Sequence, residues 1–217
     1  MSLVDSIIDP VIEALEGAWK AIKSLFTDTP AGSSSTKCPH AVSPEAAQKA
    51  FDELKARDDI PFDYPTDCCY SRAHEMCRTL QEKNVPCGKV WNYAHDFDAG
   101  GASLHVPTPN SPSGAVDWRY HVAPTVPVTQ PDGSVRDMVM DPSMFDKPVP
   151  VEEWVKAQND PTSIVRKTDS TPYFTTPTGA DSMTDPDFSE AHQQLARHRI
   201  ERDRQKALAA PAGPKSP

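Results

Sequence analysis

The stretch Asp67–Met76, DCCYSRAHEM, decides how this chain is read. Two adjacent cysteines open a run in which Ala73, Met76, Cys77 and Leu80 recur at helical spacing, which predicts a helix from Cys69 to about Lys83. A thiol in the first turn of a helix faces unpaired backbone N–H groups and the positive end of the macrodipole. Both favour thiolate, and the same N–H groups can hold an oxyanion. The competing reading makes both thiols structural. The five cysteines, Cys38, Cys68, Cys69, Cys77 and Cys87, leave room for two disulfides and a free thiol, or for five reduced thiols. Cys38-Pro-His40 and Cys68-Cys69 reproduce no familiar zinc-ligand spacing, so neither a metal nor a cofactor is expected.

Around this stretch the chain alternates helical and extended patterns. Ser43 caps a helix that has Pro44 at its first position and runs to about Asp58, with Ala47, Phe51 and Leu54 inward. Cys87–Tyr93 and Ser103–Val106 read as strands, and Pro107–Gly114 as a loop. Two further strands, Val116–Val128 and Val135–Asp141, flank the turn signal QPDGS. His121 and Asp141 lie equally far from that turn, and hairpin partners sit roughly 4.5–5.5 Å apart at Cβ. The spacing therefore predicts neighbours, a carboxylate orienting an imidazole. Pro124 and Pro127 weaken the strand between them and the turn. Val151–Gln158 reads as a short helix carrying Trp154, followed by an irregular stretch through Tyr173 and Phe174, and then a charged helix over Phe188–Ala209.

Composition narrows the function classes. With a net charge of −9 and no basic run, the chain is not built to neutralise phosphates, so no nucleic-acid partner is expected. No apolar run is long enough to span a membrane, and no stable insertion is expected. The start has no basic region ahead of an apolar core, so no signal peptide is read. Residues 1–26 carry Val4, Ile7, Ile8, Val11, Ile12, Leu15, Trp19, Ile22 and Phe26 at spacings of three and four. That is an amphipathic helix, interrupted by Pro10, which serves for targeting, as a cover or as a packing element. Residues 27–43, rich in Ser, Thr, Pro and Gly, read as a linker.

Three motifs together resemble the protein-glutaminase (protein-glutamine deamidase) family. Asp67 and Cys69–Met76 resemble its D-G-C-Y-[AS]-R-A-H-x-M motif, Trp118–Ala123 (WRYHVA) its histidine motif, and Asp141–Phe145 (DPSMF) its aspartate motif. The segment PVPVEEW with Trp154 also looks familial, and the resemblance spans roughly residues 45–160. It implies an α+β fold with a papain/transglutaminase-like core. The catalytic cysteine starts a helix packed on an antiparallel sheet that carries the histidine and aspartate. Carried over, Cys69 is the nucleophile, His121 the base and then the acid, and Asp141 the orienting carboxylate. Cys68 stands where the family pattern has glycine. Cys68, Trp118 and Tyr120 are taken as substrate-binding candidates.

The implied reaction is hydrolysis of a protein-bound glutamine amide through a thioester, with a protein bearing an exposed glutamine as partner. A transglutaminase or cysteine protease on the same triad, and an inactive papain-like binding module, are the alternatives. The expected organisation is the helix over 1–26, the linker over 27–43, a catalytic domain over 44–190, and a charged helix with a tail over 191–217. That layout suggests a bacterial effector or toxin, held in the cytoplasm until a specialised secretion system delivers it. An immunity or inhibitor protein, or a secretion chaperone, would be its further partner. Among the other histidines, His74 is expected to bridge elements, and His95 and His105 are expected to lack a hairpin-paired aspartate at matching distance. Arg72 is read as a helix-surface or ion-pair residue rather than a substrate clamp.

Overall fold

The computed structural model describes residues 41–209. The amphipathic segment 1–26, nearly all of the 27–43 linker, Cys38 and the tail beyond 209 lie outside the described residues. Helix α1 (Pro44–Lys55) starts as its sequence dictates: Ser43 Oγ accepts from Ala46 N at 3.2 Å, and Pro44 occupies the first position. Helix α2 spans Cys69–Glu82. Strands follow at Gly88–Tyr93 (β1), Leu104–Pro107 (β2), Ala115–Trp118 (β3), Tyr120–Thr129 (β4), Val135–Val139 (β5) and Val149–Pro150 (β6). Then come α3 (Val151–Lys156), β7 (Ile164–Asp169), β8 (Pro172–Thr175), β9 (Ser182–Thr184) and α4 (Ser189–Ala209).

The main sheet is antiparallel with order β6-β5-β4-β1-β7. Its long central strand β4 places alternate residues on opposite faces. Val126 and Val128 pack with Phe51, Leu54, Met76 and Leu80 from α1 and α2. Ala123 packs on the other face with Val90, Val139, Val149 and Trp154. Both prolines of β4 are accommodated. Pro124 O accepts from Met140 N at 2.9 Å, and Pro127, beyond the end of β1, accepts from Val42 N at 3.0 Å.

Four expectations about elements need correction. The strand expected over Val116–Val128 breaks at Arg119, where β3 leaves the main sheet to pair with β2. The hairpin register also differs. Thr125 faces Val139, so continuing the ladder places Ala123, not His121, opposite Asp141. The irregular stretch after α3 contains β7, an edge strand with four of its six residues exposed, which hides its periodicity. Finally, α4 is not an appendage beginning at residue 191: it packs on α2, burying Ala191 and Leu195. Glu75, 1% exposed, ties the two helices. It accepts from Arg57 at 2.7 Å, from Arg78 at 2.5 Å and from His192 at 3.1 Å.

Candidate active site

The approach to α2 is fixed by its own side chains. Asp67 Oδ1 accepts from Cys68 N at 2.6 Å. Arg72 reaches back along the helix and donates from Nη1 to Pro61 O (3.4 Å), Tyr64 O (3.0 Å) and Asp67 O (2.9 Å). Trp118 Nε1 donates to Pro65 O at 2.7 Å, joining the same loop to the sheet. Cys68 takes a left-handed backbone, φ 80° and ψ 11°, a conformation that favours glycine. Its side chain is fully buried in the α1–α2 core, and burial pushes its thiol up to about 11. Cys68 therefore does not line the cleft. The turn that starts the helix sends its side chain inward, away from the cleft.

Cys69, the first residue of α2, lines a cleft of about 260 Å³ with Pro65, Asp67, Arg72, Trp118 and Tyr120. Trp118 and Tyr120 thus stand where substrate-lining residues were expected. The half-buried Cys69 packs against Ala73, Trp91, Tyr93 and Val122. Burial pushes its thiol up to about 12; Arg72 and the Val122 backbone N–H act the other way, and Asp67 adds to the rise. The depressed thiol expected from helix position alone is not what these surroundings produce, because desolvation outweighs the helix terminus. Cys69 thus rests as a thiol and needs a base.

The imidazole expected in that role sits on β4. His121, 1% exposed, donates from Nε2 to Asp141 Oδ2 at 2.8 Å. Its ring lies between Trp118 (centroids 4.3 Å apart) and Trp154 (5.4 Å). Asp141 Oδ2 also accepts from Trp154 Nε1 at 2.8 Å, and Oδ1 accepts from Ser143 N at 3.1 Å and from the Ser143 hydroxyl. Burial would raise the Asp141 carboxyl, but His121 and these donors hold it down at about 2. An ionised Asp141 only accepts, so Nε2 carries a proton, and in the neutral ring the lone pair falls on Nδ1. Among the described residues, Nδ1 is buried with no hydrogen-bond partner. The pairing of His121 with Asp141 is as the spacing foretold, reached diagonally across the hairpin end. Ser143 and Trp154, which hold the carboxylate, were not among the expected site residues, although both lie in the DPSMF and PVPVEEW segments already singled out.

The other histidines divide. His74 bridges elements as expected: Nε2 donates to Asp185 O at 2.9 Å, and Nδ1 accepts from the buried Lys89 Nζ at 2.8 Å. The expectation fails for His105 and holds for His95, whose aspartate comes from outside any hairpin. His95 Nδ1 is 3.1 Å from Asp160, and His105 faces Asp117 across the β2–β3 ladder at 2.8 Å. Both histidine side chains are more than half exposed. Arg72 is neither a surface residue nor an ion-pair partner: it is 2% exposed and bonds only carbonyl oxygens among the described residues. No group of metal-ligating side chains occurs among the described residues.

A family model described as glutaminase matches residues 47–158. The chain belongs to the glutaminase family. The matched region contains Cys69, His121, Asp141 and Trp154. No curated protein matches the chain. Among solved structures, a crystal structure of protein-glutaminase superposes with a TM-score of 0.63 at 22% identity, covering 81% of this chain and 94% of that one. The NMR structure of protein-glutaminase from Chryseobacterium proteolyticum gives 0.61 at 22% identity, over 81% and 92% of the two chains. A crystal structure of pro-protein-glutaminase gives 0.63 at 22% identity, over 90% of this chain and 68% of that one. These likenesses establish the fold, the expected α+β papain/transglutaminase-like core.

Proposed function

We propose that this glutaminase-family member is a protein-glutamine deamidase, with Cys69 as nucleophile, His121 as base and then acid, and Asp141 as the orienting carboxylate. One observation carries the reading. A buried imidazole, fixed through Nε2 by an ionised carboxylate, keeps Nδ1 unpartnered among the described residues, and Trp118, stacked on that ring, lines the cleft that contains Cys69. His121 Nδ1 takes the Cys69 proton as sulfur attacks the carboxamide carbon of a glutamine side chain. The Cys69 backbone N–H, free at the helix start, stabilises the oxyanion. Collapse breaks the C–N bond. Nδ1–H protonates the departing nitrogen, ammonia leaves, and a thioester remains. Water then gives a proton to Nδ1 and attacks the thioester carbonyl; collapse releases glutamate and returns the proton to sulfur. Asp141 stays ionised throughout and holds the imidazolium.

The test is ammonia release from glutamine-containing proteins by the wild type, Cys69→Ala and Cys68→Ala. Loss in Cys69→Ala with retention in Cys68→Ala is expected; the reverse pattern refutes the assignment. Product mass separates the neighbouring chemistries, since a crosslink to lysine means transglutamination and a cut chain means proteolysis. The effector reading is carried by the sequence pattern of residues 1–43. Deleting them should abolish delivery into a target cell, and delivery unaffected by the deletion refutes it.

A further inference from the structure

Arg72 is the buried charged group of the cleft that the reaction above leaves unused; the exposed Asp67, Asp117 and Arg119 line it as well. It is 2% exposed, and no carboxylate lies within ion-pair distance among the described residues. It also sits in the first turn of α2, where the helix terminus is already positive and a cation is disfavoured. Burying a charge without a counter-charge is expensive. Three carbonyl oxygens bond its Nη1. Those bonds secure the loop 61–67, but a neutral amide donor could clip a loop without bringing a charge into the interior. The cation therefore needs a reason beyond the loop.

The groups around it supply one. From the loop and α2, Asp67 is exposed and its Oδ1 is engaged with Cys68 N, and Cys68 is a buried thiol. Tyr64 on the loop, Tyr70 on α2, Tyr93 on β1, Tyr120 on β4 and His198 on α4 surround Cys69 and Arg72, and burial holds each of them towards its neutral form; the exposed Asp117 and Arg119 share the lining of the cleft. The anion missing from this shell is the one that the reaction creates. Arg72 follows Cys69 by three positions, neighbours on a helix surface roughly 5–6 Å apart at Cβ, and both line the same cleft.

We propose that Arg72 is an electrostatic positioning residue, whose buried charge stabilises the thiolate of Cys69 and then the tetrahedral oxyanion, while its fork holds the lip of the cleft. The oxyanion part rests on the deamidase reading; the thiolate part does not. The shift at Cys69 supports this, since Arg72 is the largest influence opposing desolvation there. Two unit charges about 6 Å apart at an effective dielectric near 20 attract enough to move a thiol by about two pH units.

The experiment follows alkylation of Cys69 by iodoacetamide against pH in the full chain, with the modified residue located by fragment mass spectrometry and Cys69→Ala as the blank. Arg72→Gln keeps a donor for the loop and removes the charge; Arg72→Lys keeps the charge and removes the fork. The Gln variant should displace the curve of alkylation rate against pH upwards by about two pH units and slow alkylation at neutral pH about 100-fold. The Lys variant should stay within about half a pH unit of the wild type. In deamidation, Lys should raise KM with kcat largely kept, and Gln should lower kcat. An unmoved curve in Arg72→Gln, or an equal displacement in both variants, overturns the proposal. If the Gln variant fails to show a cooperative melt, the Lys variant decides: a curve within half a pH unit supports the role of charge and a larger rise refutes it. A wild type that alkylates as described but releases no ammonia refutes the deamidase reading and leaves the thiolate result standing.

Discussion

Replacing Asp141 by asparagine tests the most heavily supported part of the site. Asp141 is 3% exposed, and its carboxyl is held at about 2 against an ordinary value of 3.8. At roughly 1.4 kcal/mol per pKa unit, that gap corresponds to about 2 kcal/mol of folding free energy contributed by the charged carboxylate. The sign follows from the direction: the unfolded chain binds this proton more readily than the folded one. The contribution is therefore complete above about pH 5, about half gone at pH 3 and lost below pH 1. The asparagine side chain is isosteric but uncharged, and it turns a donor towards Trp154, Ser143 or His121, all of which donate to the carboxylate. Urea unfolding at pH 7 should show Asp141→Asn less stable than the wild type by about 2–3 kcal/mol. At pH 3 the difference should shrink by about 1 kcal/mol. Ammonia release at pH 7 should fall roughly 10³–10⁴-fold, because the imidazole loses its tautomer and its counter-charge. A stability gap of equal size at pH 7 and pH 3 would refute the claim that charge, rather than shape, holds this pair.

Further outcomes follow from neighbouring features. Cys68→Gly should be about as stable in thermal unfolding as Cys68→Ala, although it removes more buried surface, because glycine relieves a left-handed strain of about 1–2 kcal/mol. A glycine variant well below the alanine one would show that φ 80° is not strained there. Cys68→Val should be the worst of the three, since a branched Cβ adds to the same strain. Glu75→Gln should lower stability by about 3–5 kcal/mol, since Arg57, Arg78 and His192 converge on one buried carboxylate. A loss under about 1 kcal/mol in urea would mean that this network is solvent-screened.

How much of this was legible in the sequence depends on whether a feature is local. Ser43-Pro44 announces the start of α1 by capping chemistry alone, and the apolar stripe of α2 announces the face it buries. His121 and Asp141 are paired by symmetry about a turn, yet the register differs by two residues because the turn centres on Asp132 rather than on residue 131. Diagonal reach across the hairpin makes up the difference. Edge strand β7 was missed because its exposed positions carry Ile164 and Val165 as well as polar residues, which removes the alternation a half-buried strand normally shows. The charge-rich α4 reads as solvated, and only the sparse Ala191 and Leu195 mark its buried side. The thiol behaviour of Cys69 was misread for a different reason. Helix position is a local property, whereas desolvation is set by Trp91, Tyr93 and Val122, residues distant in sequence.

The contact between α2 and α4 also bears on when the protein becomes competent. The His192–Glu75 pair closes a loop of 117 residues, and His74 reaches Asp185 across 111. Contacts so far apart in sequence form late and slow the folding of a domain. As the chain leaves the ribosome, the helix bearing Cys69 emerges long before the segment that covers its outer side. During that interval the face of α2 around Glu75 is bare, and its buried carboxylate lacks His192. The outer side of that helix is therefore completed only once α4 has been made.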